Sequence, residues 1–187
     1  MSEIHTQPGR TKLASLSNRW PCRVVVQTRE YASGEHAFHG EKYFRLAQLC
    51  PDPLRAKLLF EQAALFIGDA LSMDDAHTAG KRFRLTPEER ALWSEMSNDV
   101  QTDICRWKAA HSREVQEELF LSGTKTLVHL NKRRSARASS IWDGKVRVCP
   151  VSGDIRVVGG NMLGYIWMDV RSDRVALLEW GAETYCD

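Results

Sequence analysis

Glu35 and Lys42 stand seven residues apart in the stretch Gly34-Glu35-His36-Ala37-Phe38-His39-Gly40-Glu41-Lys42-Tyr43-Phe44. If that stretch is helical, two turns set the carboxylate and the amine on one face, roughly 10 Å apart along the axis. A carboxylate can stabilise developing positive charge. A lysine can move a proton or, once neutral, attack a carbonyl carbon as a Schiff-base nucleophile, and partial burial favours the neutral amine by lowering its pKa. The plain alternative is a pair of solvated charges on a surface helix. His36 and His39 are three residues apart and bring neither the third and fourth ligands nor the supporting shell of a zinc site, so no metal is expected.

Other residue types extend this list. The indoles of Trp93 and Trp142 could stack on a flat base, an interaction worth ~1–3 kcal/mol. Trp93 lies in an apolar periodic run that suits a core position, whereas Trp142 lies on a polar stretch. The amides of Asn18 and Asn161 can hydrogen-bond hydroxyls or phosphate, although Asn161 opens a helix and could simply cap it. Gly159 and Gly160, just before it, would let backbone approach phosphate oxygens at a helix N-terminus. Lys132, Arg133, Arg134 and Arg137 form an exposed basic loop, either a solvated surface or a salt-dependent, sequence-blind contact to a nucleic-acid backbone.

These residues need a frame of helices with a few short strands, an α+β, predominantly α-helical fold. The β-branched run 22–28 reads as a strand, and 34–49 as a helix capped by Ser33 with Phe38, Leu46 and Leu49 on its apolar stripe. Pro51-Asp52-Pro53 separates it from a helix over 54–66. Ser72 opens a short helix running to 80–82. Thr86-Pro87-Glu88-Glu89 opens a long one in which Leu92, Trp93, Met96, Val100, Ile104 and Trp107 recur at helical spacing. Ser112 starts a further helix that stops at Gly123, followed by a strand over 126–130 and a hairpin within 146–158. The last helix spans 160–171, and 175–180 reads as a final strand or tail. Residues 1–12 are polar and read as a flexible N-terminal segment, leaving 13–187 as a single domain with the basic loop and hairpin filling 130–160.

Composition narrows the class. A net charge of +2 is too mild to signal nucleic-acid binding by itself. The five cysteines are odd in number, dispersed and never spaced as Cys-x-x-Cys, which favours reduced thiols in the cytoplasm, or the nucleus, over a disulfide framework or a zinc finger. Charges break every apolar run before the ~20 residues that a membrane span needs, so a soluble protein is expected.

Several stretches, in order, resemble the NADAR family of YbiA-like proteins. Leu16-Ser17-Asn18 is similar to its aromatic-Ser-Asn turn, and residues 34–42 to its Ser-Glu-His-Tyr-Phe-Gln-Ala-x-Lys helix. Ala79-Gly80-Lys81 resembles its Gly-Arg turn, Leu127-Val128 its Leu-Val-Glu strand, and Ile141-Trp142 the tryptophan of its Asp-x-x-Trp-Gly motif. Asn161-Met162-Leu163-Gly164-Tyr165-Ile166-Trp167-Met168-Asp169-Val170-Arg171 is similar to its closing Asn-x-Leu-Gly-x-x-Leu-Met-x-x-Arg helix. The resemblance spans about Leu16 to Arg171.

It implies an N-glycosidase that cleaves the bond between ribose and a nitrogen base, removing ADP-ribose from guanine in nucleosides, DNA or RNA. Other members of that family cleave phosphoribosyl-amino intermediates of riboflavin synthesis. The resemblance implies Glu35 and Lys42 as catalytic residues and Asn18, Arg19, Trp93, Trp142, Asp143, Gly160, Asn161 and Gly164 as substrate-binding residues. It implies no metal or redox cofactor. The chain departs from the pattern at His129, Ser139 and Asp143, which replace a glutamate, an aspartate and a glycine. Either Asp143 substitutes for the missing carboxylates, or activity is altered, the extreme case being a non-catalytic ADP-ribose-binding module.

Overall fold

Capping chemistry starts four of the helices where their sequences say they should start. In the computed structural model, which describes residues 2–7, 12–68, 71–131 and 140–183, the elements in chain order are β1 (Ser2–Gln7), β2 (Lys12–Leu13), β3 (Pro21–Val26), β4 (Arg29–Ser33), α1 (Gly34–Leu49), α2 (Pro53–Ala64), α3 (Met73–Arg82), α4 (Pro87–His111), α5 (Arg113–Ser122), β5 (Thr126–Asn131), β6 (Gly144–Val148), β7 (Ile155–Gly159) and α6 (Met162–Glu183). Ser33, Asp52, Ser72 and Thr86 cap α1 to α4, each side chain accepting an otherwise orphaned helical N–H. The fold class is α+β and predominantly helical. The chain forms two compact units, one continuous over Asn18–Ser112 and one made of Met1–Ser17 with Arg113–Asp187.

In the continuous unit, α1 packs against α2, α3, α4, β3 and β4. Its apolar side joins a core of Val24, Tyr31, Tyr43, Leu46, Leu59, Phe66, Val100 and Ile104. The same helix also buries His36, His39, Glu41 and Lys42. Such polar groups persist in a core only when each finds a partner, so α1 must be read through its hydrogen bonds. The strand expected over 22–28 is β3, which ends at Val26 and pairs antiparallel with β4 across a turn at Gln27, whose φ of 55° is left-handed.

The capping box of α4 is complete. Thr86 Oγ1 accepts from the Glu89 N–H at 3.2 Å, and Glu89 Oε2 accepts from the Thr86 N–H at 2.8 Å. Thr86→Ala removes one half of that exchange and is expected to cost about 1 kcal/mol, read as a lower urea midpoint with unchanged slope.

In the second unit, a three-stranded sheet has the order β2-β1-β5, and β6 and β7 form a separate hairpin. The polar N-terminal segment, expected to be loose, therefore contains a strand: β1 pairs antiparallel with β5 from Ser2↔Asn131 to Gln7↔Thr126, and Ile4 is fully buried. Trp167 of α6 is also fully buried and donates its indole N–H to the Leu16 carbonyl at 2.9 Å. Helix α6 continues to Glu183, so 175–180 is helical and not a strand or tail. Cys22, Cys50, Cys105 and Cys149 are free thiols. Among the described residues no helix is long and apolar enough to cross a membrane.

Candidate active site

The start of α1 sets the first side chain of the site. Ser33 is extended at φ −164°, its Oγ accepts the His36 N–H, and the Asn18 carbonyl accepts the Glu35 N–H at 2.8 Å. Glu35 thus sits in the first turn, where the positive end of the helix favours a carboxylate. His39 follows one turn later and Lys42 three residues after that, so all three share a face.

Helix α3 completes the group. Glu35 Oε1 lies 2.6 Å from His77 Nδ1 and 3.4 Å from His39 Nε2. The outer nitrogens of both rings face amines, His39 Nδ1 at 3.3 Å from Lys42 Nζ and His77 Nε2 at 2.6 Å from Lys81 Nζ. An ammonium can only donate, so each ring accepts from its lysine and donates its other N–H to the carboxylate. The result is a continuous hydrogen-bonded chain, Lys42 to His39 to Glu35, met from the other side by Lys81 and His77. Lys42 Nζ also donates to the Gly80 carbonyl at 2.8 Å, an acceptor shared with the Tyr43 hydroxyl at 2.9 Å. That carbonyl belongs to the last turn of α3, where unsatisfied carbonyls attract a cation. Gly80 is required at this contact, since a Cβ there would lie 2.4 Å from the His39 ring.

The protonation states follow from these surroundings. Burial raises the pKa of the Glu35 carboxyl, but the bonds from His39 and His77 overcome it and hold the group well below the usual carboxylate range. Burial pushes the Lys42 ammonium down to about 8, partly opposed by the Glu35 charge. His39 is pushed down by burial and by Lys42, against the pull of Glu35. A fixed anion, a neutral imidazole and a readily deprotonated amine therefore lie in series.

Glu35, His39 and His77 each offer one ligand atom, all within 4.8 Å of one another, and so could formally hold a metal ion. Their surroundings favour a different use. Histidines that hold a metal pass their outer N–H to a carboxylate or carbonyl. Here both outer nitrogens receive a proton from an amine, which sets positive charge behind each ring, and the 2.6 Å contact is a charge-assisted hydrogen bond.

The remaining predicted residues have other placements. In the continuous unit, the Asn18 amide is held in a reciprocal pair with Gln101 at 2.7 and 3.0 Å, Arg19 pairs with Asp74, and Trp93 packs edge-on against Phe38 with centroids 5.0 Å apart. His36, named with His39 as an insufficient metal pair, points elsewhere, with its ring between Ser33 Oγ and the Leu71 carbonyl. His77 and Lys81 were missed. Their four-residue spacing on a capped helix was the available signal, but local periodicity does not say which helix faces which.

The other residues belong to the second unit and form their own cluster. His129, in place of a glutamate, lies between the Trp142 carbonyl at 3.0 Å and the Asp143 carboxylate at 3.4 Å from its Nδ1. Asn161 is fully buried, with its amide accepting from the His129 N–H and donating to the Leu127 carbonyl, each at 3.0 Å. It fastens α6 to β5 and does not use its side chain as an N-cap. Gly160 and Gly164 do permit close backbone approach, but to the chain itself: a Cβ would meet the Ile141 carbonyl at 2.1 Å and the Leu127 carbonyl at 2.4 Å. Lys132, Arg133, Arg134, Arg137 and Ser139 lie outside the described residues.

No protein-family model matches this chain, and no curated protein matches it.

Proposed function

We propose that this protein is an N-glycosidase that hydrolyses the ribosyl C1′–N bond of an ADP-ribosylated base, with guanine the favoured base. The observation that supports this reading is the pairing of a buried, readily deprotonated amine at Lys42 with a partly buried carboxylate at Glu35 that its histidine partners hold ionised, joined through one imidazole. Cleaving a glycosidic C–N bond builds positive charge at C1′ and negative charge on the departing nitrogen. A fixed carboxylate offsets the first, and a lysine near its titration midpoint can supply a proton for the second or bond to the opened sugar. The ordered resemblance of residues 16–171 to the NADAR pattern names the same two residues.

Hydrolysis proceeds as follows. The base nitrogen expels the ring oxygen, which takes a proton, leaving a C1′=N iminium. The Lys42 amine adds to C1′, and the π pair returns to the base nitrogen. The Lys42 nitrogen, now a secondary ammonium, gives up a proton and the base nitrogen takes one, leaving as the regained Lys42 lone pair forms a C1′=N bond. Water then adds, releasing ADP-ribose and the amine.

Incubating the protein with ADP-ribosylated guanosine is expected to release guanosine and free ADP-ribose, with Glu35→Ala slower by about 10²–10⁴-fold. Tight ADP-ribose binding without any release would replace this reading with a non-catalytic binding module. Release only from a phosphoribosyl-amine of the riboflavin type would move the substrate to that class.

A further inference from the structure

We infer that His39 is the proton acceptor that turns Lys42 into a nucleophile, with Glu35 holding the imidazole in the one tautomer able to accept. The substrate that Lys42 then attacks rests on the function proposed above; the proton transfer itself does not.

The geometry has the three parts of an activated nucleophile: nucleophile, base and orienting group, each within reach of the next. Lys42 Nζ is 3.3 Å from His39 Nδ1, and His39 Nε2 is 3.4 Å from Glu35 Oε1. Glu35 is anionic and can only accept, which fixes the proton of His39 on Nε2 and leaves Nδ1 open towards Lys42. The ring cannot swing away. Gly80 is pressed against one side, so that even a methyl group there would overlap it, and the Phe66 ring lies 5.7 Å away. His39 occupies the place where the NADAR helix motif has glutamine, a residue that can hydrogen-bond a lysine but cannot take its proton.

The groups facing Lys42 are Glu35, His39 and the Tyr43 ring on α1, and the Gly80 carbonyl with His77 and Lys81 of the same network on α3. Of these, only His39 directly contacts Lys42 Nζ and can accept a proton and later return it. In the step, a Lys42 N–H proton moves to His39 Nδ1, giving an imidazolium whose Nε2–H stays on Glu35. The freed lone pair forms the bond to the electrophilic carbon, and the displaced π pair takes that proton back from His39. No oxidant, reductant or metal enters the balance.

The test needs no glycoside. The full-length protein is treated with formaldehyde and cyanoborohydride between pH 6 and pH 9.5, and methylation at Lys42 is followed by peptide mass spectrometry. In the wild type, transfer to His39 keeps a small, pH-independent fraction of the amine available, so the rate is expected to level off towards pH 6 instead of continuing to fall. In His39→Gln the amine must first lose its proton to solvent, so the rate falls about tenfold per pH unit, roughly a hundredfold from pH 8 to pH 6. The two proteins should converge above pH 9. His77→Gln, which leaves the Lys42–His39 contact intact, should keep the wild-type shape.

Parallel profiles, with His39→Gln slower by the same factor at every pH, would reduce His39 to a structural part and overturn the inference. No labelling of Lys42 in either protein would do the same, as would labelling that changes on chelation and returns with zinc. If His39→Gln does not fold, ¹⁵N NMR of the wild-type histidines decides: the Nε2–H tautomer at His39 is expected, and the Nδ1–H tautomer overturns it. If these outcomes hold but no guanosine is released from ADP-ribosylated guanosine, the proposed substrate fails and the activated lysine stands.

Discussion

Lys42→Met is expected to remain folded while releasing guanosine from ADP-ribosylated guanosine at least about 10³-fold more slowly than the wild type, within the range for loss of an acid–base group. Methionine keeps the length and apolar stem of lysine and deletes only the amine. Lys42 is 7% exposed, and burial disfavours its charge, so the amine is a load on the fold that its hydrogen bonds offset. Its loss leaves little unsatisfied, because the Gly80 carbonyl keeps the Tyr43 hydroxyl as donor. Stability at pH 7 should therefore stay within about 1 kcal/mol of wild type or rise.

The pH dependence separates this from accidental damage. The folded-state pKa of Lys42, about 8, lies below its ordinary value of 10.5, so the unfolded chain binds the extra proton between those limits. The penalty is full below pH 8 and is relieved as pH rises towards 10.5. Urea unfolding at pH 8 and pH 9.5 should show the wild type gaining stability relative to Lys42→Met. The range stops there because burial raises the Tyr43 phenol to about 12, and its linkage acts in the opposite direction above pH 10. An active Lys42→Met protein would remove lysine from the chemistry altogether.

The largest stability effect is expected one residue earlier. Glu41 is fully buried and accepts from Arg29 through both oxygens at 2.8 and 3.0 Å, from the Tyr31 hydroxyl at 2.7 Å, and from Arg45 at 3.3 Å. Arg29 also stacks on the Phe44 ring, 3.6 Å from its centroid. Glu41→Ala would leave the buried Tyr31 hydroxyl without its acceptor and the partly buried Arg29 guanidinium with Gln27 alone. A loss of about 3–5 kcal/mol is expected from breaking a buried pair on one side, read as a lower urea midpoint. Arg45→Met is the contrast. Arg45 is more exposed and reaches Asp103 as well, at 3.5 Å, so its removal should cost no more than about 1 kcal/mol. Similar losses in the two variants would mean that Glu41 is not held as its contacts describe.

Much of this was legible one helix at a time. Ser33, Ser72 and Thr86 announce their helices because capping depends on residues within one turn, whereas the Asp52 cap stood hidden between two prolines read only as a break. The Glu35–Lys42 spacing was legible for the same reason. What was not legible depends on distant partners. Strand β1 is polar in sequence and is held by backbone bonds to β5, about 120 positions away, which leave no local signature. Residues 175–180, Val175-Ala176-Leu177-Leu178-Glu179-Trp180, are mostly good helix formers and simply continue α6, so their helicity was legible in their composition. His39 was visible only as half of an unconvincing metal pair. Its role appears when α3 brings His77, Lys81 and the Gly80 carbonyl against α1.

The division of the chain also has a consequence for its synthesis. Residues 18–112 form a compact unit that is continuous in sequence, whereas the other unit joins segments on either side of it. On the ribosome, β1 is made before the continuous unit but cannot pair with β5 until 126–131 has emerged. The helix that carries Glu35, His39 and Lys42 can meanwhile complete its packing within its own unit. Until β5 arrives, β1 has only the two-residue β2 beside it and its other edge is open for chaperones, or for neighbouring chains, to engage.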